Sequence, residues 1–240
     1  MNKLSYFLRL KALSFIVFSG AVLMFVSCTK NSQNSSTTPA AAVMAFNLAP
    51  DKSNVAFSVS GTRLGNAVLN YAQFSGQYLG ANPGDRIVQA FDNNSISTIF
   101  ASTGFSFEID KFYSVFFVGK GDHYRNVVVN DDITSLSGST GSAYIRYVQA
   151  IPDSTSAFNV VVSNTGGNVV SDIVSFPMVS TFKSVTPGEI TITVTNGSDI
   201  NLTKSITVEP KKVYTILLAG VSNSSTTPLQ ISAVTNGTLN

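Results

Sequence analysis

The chain has 240 residues, of which 15 are basic and 13 acidic, and it contains one cysteine and no tryptophan. Hydrophobic residues make up 44% of the sequence and charged residues 12%, which excludes an intrinsically disordered chain and favours folded domains with apolar cores. A single cysteine excludes an intramolecular disulfide, so burial of apolar side chains must stabilise these domains.

The first segment, residues 1–27, has the layout of a secretory signal. Three basic residues within 1–11 precede an uncharged apolar run of 14 residues over 12–25. This run is short for a membrane helix, which needs roughly 20 residues, but it is typical of a signal peptide. Because Ser27 directly precedes Cys28, the segment resembles the lipobox of bacterial lipoproteins. We therefore expect cleavage before Cys28 and a lipid on its thiol; the alternative is an uncleaved N-terminal anchor.

Residues 28–41 are predicted to form the lipidated cysteine and a tether. The stretch is polar, low in complexity and without apolar periodicity, so it cannot pack a core, and its reach is roughly 20 Å. Loss of residues 1–27 removes three basic and no acidic residues, so the formal net charge of the mature chain is 12 − 13 = −1. No basic patch for nucleic acid is then expected. The predicted location is the cell envelope, at the outer membrane, periplasmic or surface-exposed.

The remaining chain has the patterns of an all-β protein. Apolar residues alternate with a period of two in several short runs, and Gly, Pro, Asn and Asp separate the runs every 8–12 residues, which is typical of sandwiches or barrels. The four clearest runs are Val55–Val59, Phe105–Ile109, Phe158–Val162 and Ile190–Val194.

The chain also contains an internal repeat. The matching pairs, with offsets of 101–104 residues, are Pro50-Asp51 with Pro152-Asp153, Pro83-Gly84 with Pro187-Gly188, and Tyr113 and Gly119 with Tyr214 and Gly220. The repeat predicts two tandem β-sandwich domains, at 42–130 and 143–240. The Gly/Ser-rich joint at 131–142 predicts flexibility between them, unless the domains share an apolar face.

Each repeated motif predicts a structural role. Pro-Asp favours a turn in which the Asp side chain bonds to its own backbone, and Pro-Gly favours a type II turn, with the glycine at positive φ. Tyr113 and Tyr214 each follow a turn at the start of an apolar strand. We expect each hydroxyl to bond to the backbone of that turn, as in the tyrosine corner of immunoglobulin-like sandwiches, and not to bind a ligand.

These motifs together carry a resemblance to a known family. A strand ending in A-x-P-D, then Pro-Gly before an alternating strand, then K-x-Y-T-x-x-x-x-G resembles the bacterial repeat family called domain of unknown function 4397. Asn47 and Gln149 stand where many relatives have a histidine. The resemblance implies two immunoglobulin-like domains in an envelope-exposed lipoprotein of unassigned activity, with no catalytic residues to transfer.

The sequence offers few groups for catalysis or metal binding. His123 is the only histidine; it could join a Ser-His-Asp arrangement with distant partners, but a solvated turn residue is the simpler interpretation. The loops at 91–95 and 130–134 offer oxygen ligands for calcium, yet neither has the spacing of a known calcium loop, so we interpret them as turns. We therefore predict a non-enzymatic protein without cofactor or metal.

Binding is the function class that the sequence favours. The strand at 112–118 is apolar on both faces, so its second face must contact the neighbouring strand layer, domain 2, or a protein or glycan partner. We expect a lipid-anchored surface binding, adhesion or interaction module. The alternatives are a hydrolase or an accessory protein of carbohydrate processing whose site is not visible in the sequence, and a purely structural spacer.

Overall fold

The computed structural model describes residues 40–136, 141–152, 157–197 and 200–239. The predicted signal peptide, Cys28, most of the predicted tether and Asp153 lie outside the described residues. Residues 39–240 form a compact unit, in which the described elements are β-strands apart from one short 3-10 helix at Ile133–Ser135. None of the described segments is a helix of the length and apolarity that a membrane crossing requires.

The first half of the described chain contains nine strands. They are β1 (Ala41–Asn47), β2 (Val55–Val59), β3 (Thr62–Arg63), β4 (Gln73–Phe74), β5 (Leu79–Ala81), β6 (Gly84–Asp92), β7 (Ser95–Phe107), β8 (Phe112–Lys120) and β9 (His123–Asn130). Strand β1 therefore begins at Ala41, within the segment predicted to be the tether.

The second half also contains nine strands. They are β10 (Ala143–Gln149), β11 (Phe158–Asn164), β12 (Gly167–Val174), β13 (Met178–Val179), β14 (Lys183–Val185), β15 (Gly188–Asn196), β16 (Ile200–Val208), β17 (Lys212–Ala219) and β18 (Gln230–Thr238).

The strands form four sheets, two in each half, with the same strand order in both halves. In the first half, β4-β1-β8-β9 form one sheet, with β5 also paired to β1, and β3-β2-β6-β7 form the other. In the second half the corresponding sheets are β13-β10-β17-β18, with β14 on β10, and β12-β11-β15-β16. The first strand of each half pairs in parallel with its eighth, β1 with β8 and β10 with β17. The prediction of an all-β, sandwich-type fold is confirmed.

Each half has its own apolar core between its two sheets. In the first half, Val43 of β1, Phe57 of β2 and Val115 of β8 belong to one buried cluster. In the second half, Ile145 of β10, Val160 of β11 and Ile216 of β17 occupy the corresponding cluster. Alternate residues of these strands point inward because side chains on a strand alternate between its two faces. One predicted run ends early: β7 stops at Phe107, and Ile109 is 50% exposed in the following turn.

A third buried cluster lies between the halves. It contains Met44, Phe46, Leu48, Phe116 and Val118 from the first half and Val148, Ala150, Leu217 and Ala219 from the second. Most of these residues lie on the faces of β1, β8, β10 and β17 that point away from their own cores, and Leu48 and Ala150 directly follow β1 and β10. The second apolar face of strand 112–118 is therefore covered by the other half, and its aromatic residues do not form an exposed patch. The two halves share an apolar face. The sequence predicted flexibility between them only in the absence of such a face.

Candidate functional site

The two repeated tyrosines occupy equivalent positions in β8 and β17. Tyr113 is paired with Val43, and Tyr214 with Ile145, in the parallel ladders of the two halves. The Tyr113 hydroxyl accepts a hydrogen bond from the Glu108 N–H at 2.9 Å, and the Tyr214 hydroxyl accepts one from the Glu209 N–H at 3.0 Å. Both rings are buried, with 1% and 7% of their surface exposed. The geometry is that of a tyrosine corner, so neither ring is accessible to a ligand.

The repeated glycines adopt backbone conformations that side chains disfavour. Gly84 and Gly188, after Pro83 and Pro187, have φ of 92° and 126°. Gly119 and Gly220, near the ends of β8 and β17, have φ of 118° and 115°, and a β-carbon on either would collide with the backbone of the facing chain segment. Positive φ is permitted at little cost only for glycine. The repeat therefore preserves positive-φ glycines at the starts of β6 and β15 and a close backbone approach at Gly119 and Gly220.

The first Pro-Asp pair forms a turn, but Asp51 uses its side chain differently from the expected Asx bond. The turn closes through the Lys52 N–H and the Ala49 carbonyl at 3.2 Å. The Asp51 carboxylate instead accepts hydrogen bonds from the Gly121 N–H at 2.9 Å and the Tyr124 hydroxyl at 2.5 Å. It thus connects the β1–β2 turn to the β8–β9 hairpin, where these donors lie within its reach. Pro152 also lies in a turn.

Asn47 and Gln149, which stand where relatives of the family that the sequence resembles have a histidine, are both fully buried at the ends of β1 and β10. Each side-chain oxygen accepts a hydrogen bond at 3.1 Å from the backbone N–H two residues later, at Ala49 and Ile151. Asn47 also donates to the carbonyls of Lys52 and Leu69. Both side chains therefore stabilise the turn that follows their strand.

A buried polar network crosses the interface between the halves, and the sequence analysis did not identify it. Arg146 of β10 is 3% exposed, and its Nη1 lies 2.5 Å from Oδ1 of Asp131, which is 1% exposed. The guanidinium also donates to the Ser114 hydroxyl at 2.8 Å and the Thr215 hydroxyl at 2.9 Å. A charged residue inside the apolar strand AYIRYVQ was the one sequence signal of this network. Asp131, predicted to begin a flexible linker, is instead part of the packed structure.

The network closes into a ring through residues of both halves. The Tyr78 hydroxyl donates to Asp131 Oδ2, Asn236 Nδ2 donates to the Tyr78 hydroxyl at 3.4 Å, and the Thr215 hydroxyl donates to Asn236 Oδ1 at 2.6 Å. Burial, and next the neighbouring Asp131 carboxylate, raise the pKa of Tyr78 above its usual value. This tyrosine therefore stays protonated, as a hydrogen-bond donor to the carboxylate, well above neutral pH.

The described chain ends of the two halves lie at one end of the folded unit, which we call the terminal end. Ala42 is level with Phe112 in the β1–β8 ladder, and Asn130 is paired with Tyr113 beside it. In the second half, Tyr144 is level with Val213, and Thr238 is paired with Lys212. Each half therefore begins and ends at the same end of its sheet.

The two halves point in the same direction. Asp131 and Arg146, which bond to each other, lie near the terminal end of both sheets, whereas Gln230 Nε2 donates to the Tyr71 hydroxyl at 3.3 Å near the opposite end. We call that opposite end the distal end; it comprises the β1–β2 turn, the β8–β9 hairpin and the β17–β18 loop at residues 220–229. Strands β1 and β10 both run from the terminal end toward the distal end.

The distal end of the first half carries a cluster of aromatic and charged side chains. The Lys52 ammonium lies 4.9 Å from the ring centre of Phe100 and 5.0 Å from that of Tyr124. Both rings also pack against buried Phe117. Burial, followed by the hydrogen bond to Asp51, raises the pKa of Tyr124. Cation–π contacts hold the lysine in place, so a positive charge is presented on a fixed aromatic base.

The candidate catalytic and metal-binding residues of the sequence do not meet in one cleft of the described structure. His123 is exposed in the β8–β9 hairpin. A cleft of about 430 Å³ lies beside Ile87 and Gly104, and one of about 320 Å³ lies between the halves beside Asp132 and Phe182; His123 lines neither. Among the described side chains, no three His, Cys, Asp or Glu residues come together as metal ligands.

Comparison with known proteins identifies a family for the second half of the chain. No curated protein matches the chain. The family model described as "Domain of unknown function (DUF4397)" matches residues 143–239, which span β10–β18. The second half of the chain is therefore a DUF4397 domain.

Proposed function

We propose that this protein is a non-enzymatic, lipid-anchored module of the cell envelope that presents a binding surface at its distal end. In this proposal residues 1–27 are a signal peptide, Cys28 carries the lipid, and residues 41–130 are a second, divergent copy of the domain found at 143–239. The shared strand order of the two halves supports the duplication. The signal-like segment and the polar stretch before β1 support the anchor.

The observation that carries the proposal is the position of the chain ends. Because β1 starts at the terminal end, a chain that arrives from a lipidated Cys28 enters the folded unit at that end, and the distal end is the end farther from the point of attachment. Tandem domains form a long spacer when the chain enters each domain at one end and leaves it at the other. Here the chain enters and leaves each half at the same end. The second half therefore makes the distal end wider but adds little to its distance from the terminal end. The arrangement therefore favours a presenting module over a spacer.

The anchor is tested at Cys28. Cys28→Ala should abolish acylation and leave a slower-migrating precursor, whereas the unaltered protein should yield an acylated N-terminal peptide at residue 28 by mass spectrometry. Recovery of an intact residue 1 without an acyl mass from the unaltered protein would overturn the anchoring.

The binding surface is tested by photo-crosslinking in cells. A photoreactive amino acid at His123, on the distal end, should give discrete covalent adducts with an envelope protein or glycan, and the same group at exposed Lys211, on the terminal end, should not. Lys52→Ala should weaken the adducts from position 123 if the lysine contacts the partner. Adducts from position 211 alone would contradict the proposed orientation, and none from either position would favour a spacer.

A further inference from the structure

We propose that the buried ion pair between Arg146 and Asp131 fixes the orientation in which the two halves dock, so that their distal ends form one continuous surface. The proposal concerns the interface itself and does not depend on the anchor or on the identity of a partner.

The apolar part of the interface does not by itself specify an orientation. It is made of aliphatic and aromatic side chains on the facing surfaces of two sheets, and burial of such surfaces is favourable but non-directional. Apolar burial alone therefore gives no direction to the contact between the two sheets.

The polar ring, by contrast, is directional. Each of the three guanidinium nitrogens of Arg146 has a different partner: Asp131, Ser114 and Thr215. Its guanidinium carbon also lies over the rings of Phe116 and Phe182, at 5.4 Å and 4.5 Å from their centres. Asp131 and Ser114 belong to the first half, whereas Arg146 and Thr215 belong to the second. A shift between the halves would separate Arg146 from Asp131 and Ser114 and leave these buried groups without their partners, which costs free energy.

The fold does not require a charge at this position. Met44 precedes Ala45 in β1 as Arg146 precedes Tyr147 in β10, each two residues after the start of the parallel ladder, at Ala42 and Tyr144. The methionine packs into the same interface cluster, with 1% of its surface exposed. An apolar side chain therefore fits at the corresponding position, and the ion pair adds directionality to an interface that apolar contacts could fill.

This reasoning separates stability from orientation. Removal of one partner leaves a buried unpaired charge and is strongly destabilising, whereas replacement of both by apolar residues is often neutral. Arg146→Met or Asp131→Asn alone should lower the melting temperature by roughly 6–20 °C for a unit of this size. The double variant Arg146→Met with Asp131→Leu should recover most of that loss, but its halves should sample more orientations.

The experiment uses residues 28–240 with Cys28→Ser and spin labels at two exposed positions, Ser97→Cys and Thr203→Cys, one in each half. Pulsed electron paramagnetic resonance should give a narrow distance distribution for the parent protein and a broader or shifted one for the double variant. The more conservative Asp131→Asn variant, measured below its melting temperature, should also broaden the distribution. Glu209→Gln, which breaks the exposed 3.0 Å pair with Lys212, serves as a matched control and should change neither readout. Parent-like distributions in both variants, or unchanged melting in both single variants, would overturn the proposal.

Discussion

The tyrosine corner of the second half offers a sharp test of what stabilises each half. Tyr214→Phe keeps the ring and removes the hydroxyl that accepts the Glu209 N–H at 3.0 Å. The net loss of one such bond is about 0.5–1.5 kcal/mol. Tyr214→Ala also removes a ring that is 7% exposed and packs in the core of the second half, so a loss of about 3–5 kcal/mol is expected, as for other large aromatic truncations.

Thermal unfolding of residues 28–240 with Cys28→Ser, followed by circular dichroism, measures both changes. A loss of 1 kcal/mol corresponds to about 2–4 °C in a protein of this size, so Tyr214→Phe should melt about 1–6 °C lower and Tyr214→Ala about 6–20 °C lower. Thr207→Ala, on the exposed edge strand β16, is the control and should stay within about 0.5 kcal/mol of the parent. Tyr214→Ala melting with the control would refute the structural role.

Two further predictions are tested by thermal unfolding and by an alkaline titration. Gly220→Ala should destabilise the protein by about 1–3 kcal/mol or more, because its φ is 115° and a β-carbon would collide with the backbone of Pro228, whereas Gly237→Ala, which has open space around it, should change the melting temperature far less. In an alkaline titration followed by absorbance at 295 nm, Tyr78 should ionise only above the ordinary tyrosine pKa of 10.0, because its pKa is raised in the folded protein. The stability that protonated Tyr78 contributes is present below pH 10 and is lost as the pH rises through its folded-state pKa. Tyr78→Phe should therefore reduce the loss of stability of the protein at alkaline pH.

Local patterns in the sequence were sufficient to predict the fold class. Period-two alternation indicates which side chains point to a core: Ile190, Ile192 and Val194 of β15 are buried and the residues between them are partly exposed, whereas all five residues of Val55–Val59 are buried. The repeated tyrosines and glycines also carried local information, because a corner or a positive φ depends on a few neighbouring residues. The prediction that the alternating run continues to Ile109 was wrong, because alternation alone does not indicate where a strand ends and a turn begins.

The interface could be predicted only in part. Apolar residues on both faces of strand 112–118 indicated that a second surface covers it, but not which surface. The pairing of Arg146 with Asp131 depends on the parallel β10–β17 ladder and on the stacking of two sheets, and neither has a local sequence signal. Asp131 followed a strand in a polar segment and so resembled a linker residue. Asp51 was misinterpreted for a similar reason, since its partners Gly121 and Tyr124 lie 70 and 73 residues away in the β8–β9 hairpin.

The parallel pairing of the first and eighth strands of each half determines both where the chain enters and leaves that half and which faces form the interface. Because β1 and β8 run the same way and β9 returns beside β8, each half is entered and left at the terminal end. The faces of β1 and β8 that point away from their own core then pack on the equivalent strands β10 and β17, which places the halves side by side. The stability of the halves is therefore coupled, since unfolding of either exposes the third apolar cluster and separates Arg146 from Asp131. A substitution in one core should consequently lower the unfolding temperature of the whole unit, and the distal surface should be lost in one step instead of half by half.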